Sequence, residues 1–256
     1  MSYFQLKNYK QFNEDYCVIS QPTFMPWIGW FDLVDQAKTM VLLDDVSFSK
    51  QTWQQRNKIR TQKGLEFITV PVKTSGRLGQ KIYDCELSDN TFAKKIFKTI
   101  RFNYSRSKHS YLIDQIEKVF LDSLHDKKLF SLNKAIIQWM CNYLGIKTKM
   151  IDASDLSIQG KRGEHVSLIC KKIESHNYLS PLGAENYLRD DIMSFQNKKI
   201  NIFLHQYDHP TYEQVYMPFL PYASILDLVL NEGEKSLEII KQGRKKPRQL
   251  TIDKAL

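Results

Sequence analysis

The sequence has no long hydrophobic run. It contains no uninterrupted apolar stretch of about 18 residues, the length that a membrane-spanning helix needs. The amino-terminal segment MSYFQLKNYKQFNED is polar and lacks the short apolar stretch of a secretory signal. These absences predict a cytoplasmic protein without a transmembrane segment. Internal repeats, low-complexity tracts and long linkers are absent too, so the 256 residues are expected to form a single domain over 1–256.

Cysteine and histidine are scarce and widely spaced. The four cysteines form no CxxC pair, which argues against a cysteine-ligated metal site or a redox motif. The six histidines show no HxH pair, and no metal ligand is predicted. We therefore expect reduced, mostly buried thiols, and the sequence points to no cofactor. The cysteines are Cys17, Cys85, Cys141 and Cys170, and the histidines are His109, His125, His165, His176, His205 and His209.

The charge balance favours anionic partners. The net charge of +9 raises the local concentration of nucleotides, acidic proteins or nucleic acid around the protein. Part of the excess lies in a basic tail, 241–256, which we expect to be a solvated, frayed terminus. Nucleic acid is not the expected partner, because no RNA-binding signature or zinc-finger spacing accompanies the cations. The clustered cations of the tail are Lys241, Arg244, Lys245, Lys246 and Arg248.

Short apolar runs alternate with segments of helical periodicity. Strands are predicted at 17–20, 40–44, 67–72, 149–153, 177–180 and 200–207. Helical patterns lie between the first two strands, around 184–196 and after 225, and three more fill a helical subregion at 90–145 that ends at Gly145. Strands separated by such helices predict the α/β class. We expect a mostly parallel sheet with helices on both faces, either Rossmann-like or nucleotidyltransferase-like.

The segment QPTFMPWIGW at 21–30 follows the first predicted strand directly. In open α/β sheets, ligands bind beyond the carboxyl ends of the strands, at the turn into the next helix. Gln21 lies at this place, and Pro22 and Pro26 preset the turn. Trp27 and Trp30 suit the wall of a site for a base or sugar ring, but at least one of them is expected to cover a helix start and the core instead.

Asp44 and Asp45 end the second predicted strand, so one of them is expected at the same edge. An aspartate there could accept a hydrogen bond from a sugar hydroxyl, orient an amine or act as a general base; the alternative is a turn or helix-cap carboxylate. Lys50, Arg56 and Asn57 follow shortly after. Arginine beside amides supplies donors for phosphate or carboxylate, so these residues are predicted to contact an anionic ligand.

His209 follows another predicted strand, in the segment HQYDHPTY. Its imidazole could act as a general base near neutral pH, or it could be hydrogen-bonded into the turn before Pro210. Cys17 lies inside an apolar strand, where a thiolate is disfavoured, so we interpret it as a core thiol and not as an acyl-accepting nucleophile.

Six blocks of the sequence resemble the WbqC-like family in their order and content. They are QPTFMPWIGWFDLVDQA, VLLDDVSFSKQTWQQRNKIRTQKG, FITVPV, YLSPLGAENYL, YDHPTYEQ and FLPYASILDLVLNEG, and they span 17 to about 240. One departure is Pro181-Leu182, where the family pattern has a glycine followed by a small residue or proline. The positions that the resemblance marks are Gln21, Pro22, Pro26, Trp27, Gly29, Asp44, Asp45, Trp53, Arg56, Asn57, Pro71, Tyr178, Leu179, Ser180, His209, Pro210, Tyr212, Gln214, Ser224 and Asp227.

This resemblance implies an enzyme of bacterial O-antigen or other surface-polysaccharide biosynthesis. We expect an N-acyl- or aminoacyl-transferase that acts on a nucleotide-linked amino sugar, with an acidic acyl-carrier protein or another acyl donor as partner. Asp45 or His209 would take the amine proton, and Asn57 or Gln21 would stabilise the developing oxyanion. The residues expected to bind substrate are Trp27, Asp44, Lys50, Trp53, Arg56, Ser180, Tyr212, Gln214 and Asp227.

Two other functions stay open at this point. The WIGW segment at 27–30 is similar to the start of the nucleotidyltransferase and pantothenate-synthetase superfamily, which would imply an ATP-dependent adenylating enzyme of the HUP type. Trp27 and Trp30 stand where that signature has histidines that grip phosphate, so adenylyl chemistry is the lesser alternative. A third hypothesis is a non-catalytic scaffold or carbohydrate-binding protein. The sequence allows a homo-oligomer but does not specify one.

Overall fold

A six-stranded sheet organises the fold. The computed structural model describes residues 15–89 and 91–251. Its strands, numbered along the chain, are β1 (Tyr16–Ser20), β2 (Ala37–Leu42), β3 (Arg56–Thr61), β4 (Gly64–Thr69), β5 (Lys149–Asp152), β6 (Asn177–Ser180), β7 (Asn201–Tyr207) and β8 (Arg244–Gln249). The large sheet has the order β5-β2-β1-β6-β7-β8. Every neighbouring pair is parallel except β7 and β8, so the predicted mostly parallel sheet is confirmed.

Helices cover both faces of this sheet. They are α1 (Ile28–Asp35), α2 (Phe92–Tyr104), α3 (Leu112–Asp122), α4 (Leu129–Leu144), α5 (Arg162–Lys172), α6 (Glu185–Asp190), α7 (Ile192–Gln196), α8 (Ile225–Glu232) and α9 (Ser236–Gln242). On β1, Val18 packs into a core cluster with residues of α1 to α4 and α8, whereas Cys17 and Ile19 pack into a second cluster with residues of α5, α6 and α7. The alternation follows from the pleat, which points successive side chains to opposite faces.

The strand order gives the sheet a Rossmann-like switch point. From β1 the chain builds β2 and β5 on one side, and then β6 and β7 on the other. A crevice for a ligand is expected where the order reverses, at the carboxyl ends of β1 and β6. Ser20 ends β1 and Ser180 ends β6, so the segments that begin with Gln21 and Pro181 border this crevice.

The helical subregion predicted at 90–145 contains the three expected helices, α2, α3 and α4. The last of them ends at Gly145, which has a φ of 76° and so takes the left-handed conformation that favours glycine. The helix predicted around 184–196 is divided into the shorter α6 and α7. Apolar residues of α2 to α4 share one buried cluster with the sheet, so this subregion packs on the sheet instead of standing apart.

Strands β3 and β4 form a hairpin outside the large sheet, with Thr61 opposite Gly64. The sequence predicted a strand at 67–72 but none at 56–61, where polar and charged residues hide the alternation. The predicted strand begins earlier, at Gly64, and ends at Thr69, because the Val70 N–H turns to the carbonyl of Gln55 at 2.8 Å. Gly64 has a φ of 127°, which explains glycine at this turn.

The basic tail is partly ordered, contrary to the expectation of a frayed terminus. Arg244–Gln249 forms β8, which pairs antiparallel with β7, and residues 252–256 of the predicted tail lie outside the described residues. Arg244 explains the difference, because its Nε donates to Asp32 Oδ1 at 2.8 Å and its guanidinium also pairs with Asp35. Asp32 is fully buried and also accepts from His205 Nε2 at 2.7 Å.

The four cysteines are free and buried, as predicted. Cys17 Sγ lies 3.7 Å from Cys170 Sγ between β1 and α5. Burial raises the pKa of Cys85 and of Cys141 to about 12, so these thiols stay protonated at neutral pH. Among the helices of the described segments, none combines the length and the hydrophobicity that a membrane crossing requires.

Candidate functional site

An aromatic pocket opens beside the first strand-to-helix turn. Its walls come from the loop after β1, the start of α1, the hairpin and the loop before α8, and it encloses 430 Å³. This volume falls within the usual range for a small-molecule site, about 300–1,000 Å³. The lining residues, which define the aromatic pocket below, are Thr23, Trp27, Trp30, Trp53, Asn57, Lys58 and Tyr222.

Trp27 forms a rigid wall of the aromatic pocket. Its ring stacks on His209 at 6.1 Å between centroids with an interplanar angle of 20°, and it meets the edge of Tyr207 at 5.6 Å. Gly29 makes room for the indole, because a Cβ atom there would lie 2.2 Å from Trp27 Cη2. Trp30 is largely buried and donates from Nε1 to Ser20 Oγ at 3.2 Å. Trp27 therefore lines the pocket, and Trp30 is shared between the pocket and the core.

The hairpin and the loop that precedes it present aromatic and cationic side chains beside the pocket. Trp53 is 50% exposed and Phe67 is 45% exposed, and their ring centroids are 5.9 Å apart. Arg56 places its Cζ 4.4 Å from the centre of Phe67, and the Lys58 ammonium lies 5.9 Å from the Trp53 ring. Exposed aromatics are unusual enough to indicate a binding surface when they line a cavity. Lys50 is also exposed, in the loop that leads to Trp53.

Asn57 borders the same pocket, but its amide is already engaged. Nδ2 donates to the carbonyls of Phe24 and Met25 at 3.1 and 2.9 Å, and Oδ1 accepts from the Lys58 N–H at 2.8 Å. Since both amide hydrogens are used, the geometry does not favour the predicted oxyanion donor. Asn57 instead holds the loop after β1 against the hairpin.

Gln21 lies at the switch point and keeps part of its amide available. Its exposed side chain accepts from Gln54 Nε2 through Oε1 at 2.8 Å. Within the described segments, no hydrogen-bond partner is found for Gln21 Nε2, so this N–H group can reach a ligand. Ser180, at the end of β6, is fully buried and donates to the carbonyl of Pro181 at 3.2 Å. Gln21 therefore fits a substrate-facing role better than Ser180 does.

His209 supports the aromatic pocket from behind. Nδ1 donates to the Pro210 carbonyl at 2.8 Å, and Nε2 accepts from the Tyr222 N–H at 3.1 Å. Burial lowers the pKa of His209 below its usual value, which keeps the ring neutral. Both nitrogens are occupied, so the geometry favours a positioning role over the predicted general base. His205, four residues earlier, contacts Asp32 instead, so the two imidazoles do not share a site.

Three residues that were expected to bind substrate form a buried network instead. Asp227 is fully buried and accepts from the hydroxyls of Tyr104 and Tyr212 at 2.8 and 2.7 Å, and from Gln214 Nε2 at 2.7 Å. Desolvation raises the pKa of Asp227 despite these donors. The network joins α8 to α2 and to the loop at 212–220. Tyr212, Gln214 and Asp227 therefore stabilise the frame behind the pocket.

Asp44 and Asp45 lie just beyond β2 and have different surroundings. Asp44 is fully buried; it accepts from the Ser154 N–H at 2.9 Å and from Ser154 Oγ at 2.6 Å, and burial raises its pKa. It matches the predicted turn carboxylate and not a ligand contact. Asp45 faces another cavity, where its Oδ2 lies 2.9 Å from His165 Nε2. The side chains of Asp44 and Asp45 thus point in different directions, as adjacent side chains do in an extended chain.

This second cavity, the dyad cavity, encloses 690 Å³ at the carboxyl ends of β2 and β5. It is lined by Asp45, Val46, Ser47, Lys81, Tyr83, Ser154, Ser157, Ile158, Gln159, Gly160, Lys161, Arg162 and His165. His165 was not among the site residues predicted from the sequence. The signal that was available is the polar, glycine-containing segment QGKRG at 159–163, which runs into the start of α5 and places His165 in the first turn of the helix.

No metal centre is evident in the described parts of the chain. Among residues 15–89 and 91–251, no group of three or more His, Cys, Asp or Glu side chains is placed to hold a metal ion. The chemistry that these cavities can supply comes from stacking surfaces, cationic side chains and the Asp45–His165 pair.

Comparison with known proteins relates most of this chain to one family. The model of the WbqC-like protein family matches residues 21–239. An uncharacterized protein of Mycobacterium tuberculosis is 31% identical over 228 residues, which cover 88% of this chain and 97% of the relative. No solved structure shows a significant match. Both cavities lie inside the matched range.

Proposed function

The chain belongs to the WbqC-like protein family, and from this premise we propose that it is a transferase of bacterial surface-polysaccharide biosynthesis. In this proposal, an acyl or aminoacyl group is transferred to the amino group of a nucleotide-linked sugar. The proposal combines the pathway that the family resemblance implies with the chemistry of the carboxyl edge of the sheet.

The aromatic pocket is the observation that carries the proposal. Sugar rings and bases present flat or weakly polar faces that bind well to rigid aromatic side chains. Trp27 is held by stacking contacts and Trp53 is half exposed, so the pocket combines a fixed wall with an accessible one. Lys58 lies over the Trp53 ring and Arg56 lies over the neighbouring Phe67 ring, and both suit a phosphate group attached to the bound sugar.

The proposed reaction needs a nucleophile, a proton acceptor and a group that stabilises an oxyanion. The amine nitrogen attacks the acyl carbonyl carbon, the bond from that carbon to the donor's leaving group breaks, and the amine loses one proton. Of the two predicted bases, only Asp45 faces a cavity with its partner His165, whereas the nitrogens of His209 are occupied. The Gln21 Nε2, for which no partner is found in the described segments, suits the oxyanion donor better than Asn57, whose amide hydrogens are both used.

The positive charge of the protein supports the choice of partners. A net charge of +9 attracts both a nucleotide diphosphate and an acidic acyl-carrier protein, which is the acyl donor that we propose. Salt should weaken association with a carrier protein, because the attraction between exposed charges is screened.

The proposal is tested with purified protein, a panel of nucleotide-linked amino sugars, and acyl and aminoacyl donors including a loaded acyl-carrier protein. Mass spectrometry should detect a sugar that has gained the acyl mass. Trp53→Ala should raise the KM for the sugar about tenfold, because stacking on an exposed aromatic contributes about 1–3 kcal/mol. Phe102→Ala is the matched control, since Phe102 is 78% exposed on α2 and lines neither cavity. No product across the panel, or equal kinetics for both variants, would contradict the proposal.

The same experiment separates the two alternatives from the sequence. An adenylating enzyme would release pyrophosphate or AMP when ATP and Mg²⁺ are added, and would need them for product formation. A carbohydrate-binding scaffold would bind the sugar in a Trp53-dependent manner without turnover.

A further inference from the structure

The dyad cavity contains a buried imidazole with an unused nitrogen. His165 is 5% exposed, and its Nε2 is engaged with Asp45 at 2.9 Å. Its Nδ1 is buried and has no hydrogen-bond partner. An unsatisfied buried polar atom is costly and is rarely retained without a reason, of which ligand binding is one. Since Nε2 already contacts a carboxylate, Nδ1 is the ring nitrogen that is left without a partner.

The walls of the cavity are held in place by the backbone. The Ile82 and Tyr83 N–H groups donate to the carbonyls of Val46 and Asp44, both at 3.0 Å, which fixes the strand-like segment after β2 beside 81–83. On the opposite wall, a Cβ atom on Gly160 would lie 2.9 Å from His165 Cα. Glycine therefore lets the loop before α5 pack directly on the first turn of that helix. The cavity is thus a built feature and not a gap between mobile loops.

Two of the three cations at the rim of the cavity form no ion pair within the described part of the chain. Lys81 and Lys161 are exposed, and no ion-pair partner is found for either of them in the described part of the chain. Arg162 also borders the cavity but is shared with Asp190 and Asp191 at 3.3 and 3.4 Å. Asp45, which is paired with His165, is the one carboxylate among the lining residues. The two lysines without an ion-pair partner therefore outnumber it.

We propose that the dyad cavity binds a diphosphate or phosphomonoester group, with Lys81 and Lys161 pairing with its oxygens and His165 lining the cavity beside it. A phosphate fits better than a carboxylate, because its larger negative charge matches two unpaired lysines and its several oxygens can meet both separated ammonium groups. The inference goes beyond the proposed function and does not depend on it. Either a nucleotide-linked acceptor or a phosphate-bearing acyl donor would bring such a group.

The test is a titration of the full-length, isotope-labelled protein with inorganic pyrophosphate, uridine diphosphate and coenzyme A. Histidine ring signals are followed by NMR, with those of His165 identified by their loss in His165→Gln. Binding should shift the His165 signals. Lys81→Ala and Lys161→Ala should each weaken binding about tenfold in calorimetry, which is typical for the loss of one charge-assisted contact. Lys172→Ala is the matched control, because Lys172 is exposed at the other end of α5.

The three ligands distinguish the source of the phosphate. Tighter binding of uridine diphosphate than of pyrophosphate indicates a nucleotide-linked substrate, whereas tighter binding of coenzyme A indicates the acyl donor. The inference is overturned if none of the three ligands shifts the His165 signals, or if both lysine variants bind as the Lys172 control does. Product formation without a His165 response would overturn this inference alone, and a lysine-dependent response without any product would count only against the transferase proposal.

Discussion

Gly29→Ala is expected to destabilise the protein, although the same substitution in an ordinary helix would stabilise it. Gly29 lies in the first turn of α1, where alanine normally gains about 1 kcal/mol over glycine. Here the new Cβ atom would lie 2.2 to 2.7 Å from three carbon atoms of the Trp27 ring. The ring cannot move aside freely, because Tyr207, His209 and Tyr222 surround it.

The expected magnitude follows from these two opposing terms. Overpacking of one methyl group costs about 1–3 kcal/mol, and the helix gain offsets about 1 kcal/mol of that cost. The net loss should be about 1 kcal/mol in the free energy of unfolding. In a Trp27→Ala background the clash is absent, so Gly29→Ala should then stabilise by about 1 kcal/mol. The coupling between the two positions is therefore about 2 kcal/mol, within the range for residues in contact.

The measurement is urea unfolding of the wild type, both single variants and the double variant, followed by circular dichroism at a helix band so that loss of a tryptophan does not alter the probe. Ligand affinity at the aromatic pocket should also fall in Gly29→Ala, because the displaced ring is a wall of the pocket. If Gly29→Ala is as stable as the wild type, or if its effect is the same in both backgrounds, the argument for a fixed Trp27 is refuted.

Three further predictions concern the frame around the site. Asp32→Ala should lower the free energy of unfolding by about 3–5 kcal/mol, because His205 and Arg244 lose a buried carboxylate partner. Asp15→Ala, which removes an exposed ion pair, should cost less than about 1 kcal/mol, and equal losses in the two variants would count against the buried network. Burial lowers the pKa of His209 in the folded state, so the unfolded chain binds a proton more readily than the folded chain does. Stability should therefore fall as the pH drops below 6.5, and this dependence should be weaker in His209→Gln. Unfolding measured at several pH values tests the prediction. The four buried thiols should react with a thiol reagent only on unfolding, and rapid labelling of the native protein would contradict their placement.

The elements that were predicted well are those whose signal is local. Apolar periodicity located α2, α3 and α4, and Gly145 marked the end of α4, because capping and amphipathicity depend on neighbours a few residues away. Strand β8 was missed for the opposite reason. Its sequence, RKKPRQ, has neither alternation nor apolar content, and its order comes from β7 and from Asp32, more than two hundred residues earlier. No local pattern encodes such a partner.

The site shows the same division between local position and distant contact. The carboxyl-edge rule placed Trp27 and Asp45 on cavity walls, because strand ends can be located from the sequence. It could not show that the Asn57 amide is hydrogen-bonded to the backbone, or that the Asp44 carboxylate is hydrogen-bonded to Ser154, since those partners lie elsewhere in the chain. Tyr212, Gln214 and Asp227 were predicted through the family resemblance, which marks positions without saying whether they face a ligand or one another.

A comparison of His209 with His165 shows how existing hydrogen bonds distinguish structural residues from candidate ligand contacts. His209 stands in a family block, yet a backbone carbonyl and a backbone N–H occupy its two nitrogens, so a substrate would have to break an existing bond to use it. His165 stands in no such block, yet it keeps one buried nitrogen unpaired beside unpaired lysines. Because a satisfied buried group gains little from a ligand and an unsatisfied one gains a full hydrogen bond, the second histidine is the stronger candidate for ligand contact. The same comparison favours Gln21 over Asn57, and it makes His165→Gln a more informative first variant than any substitution of His209.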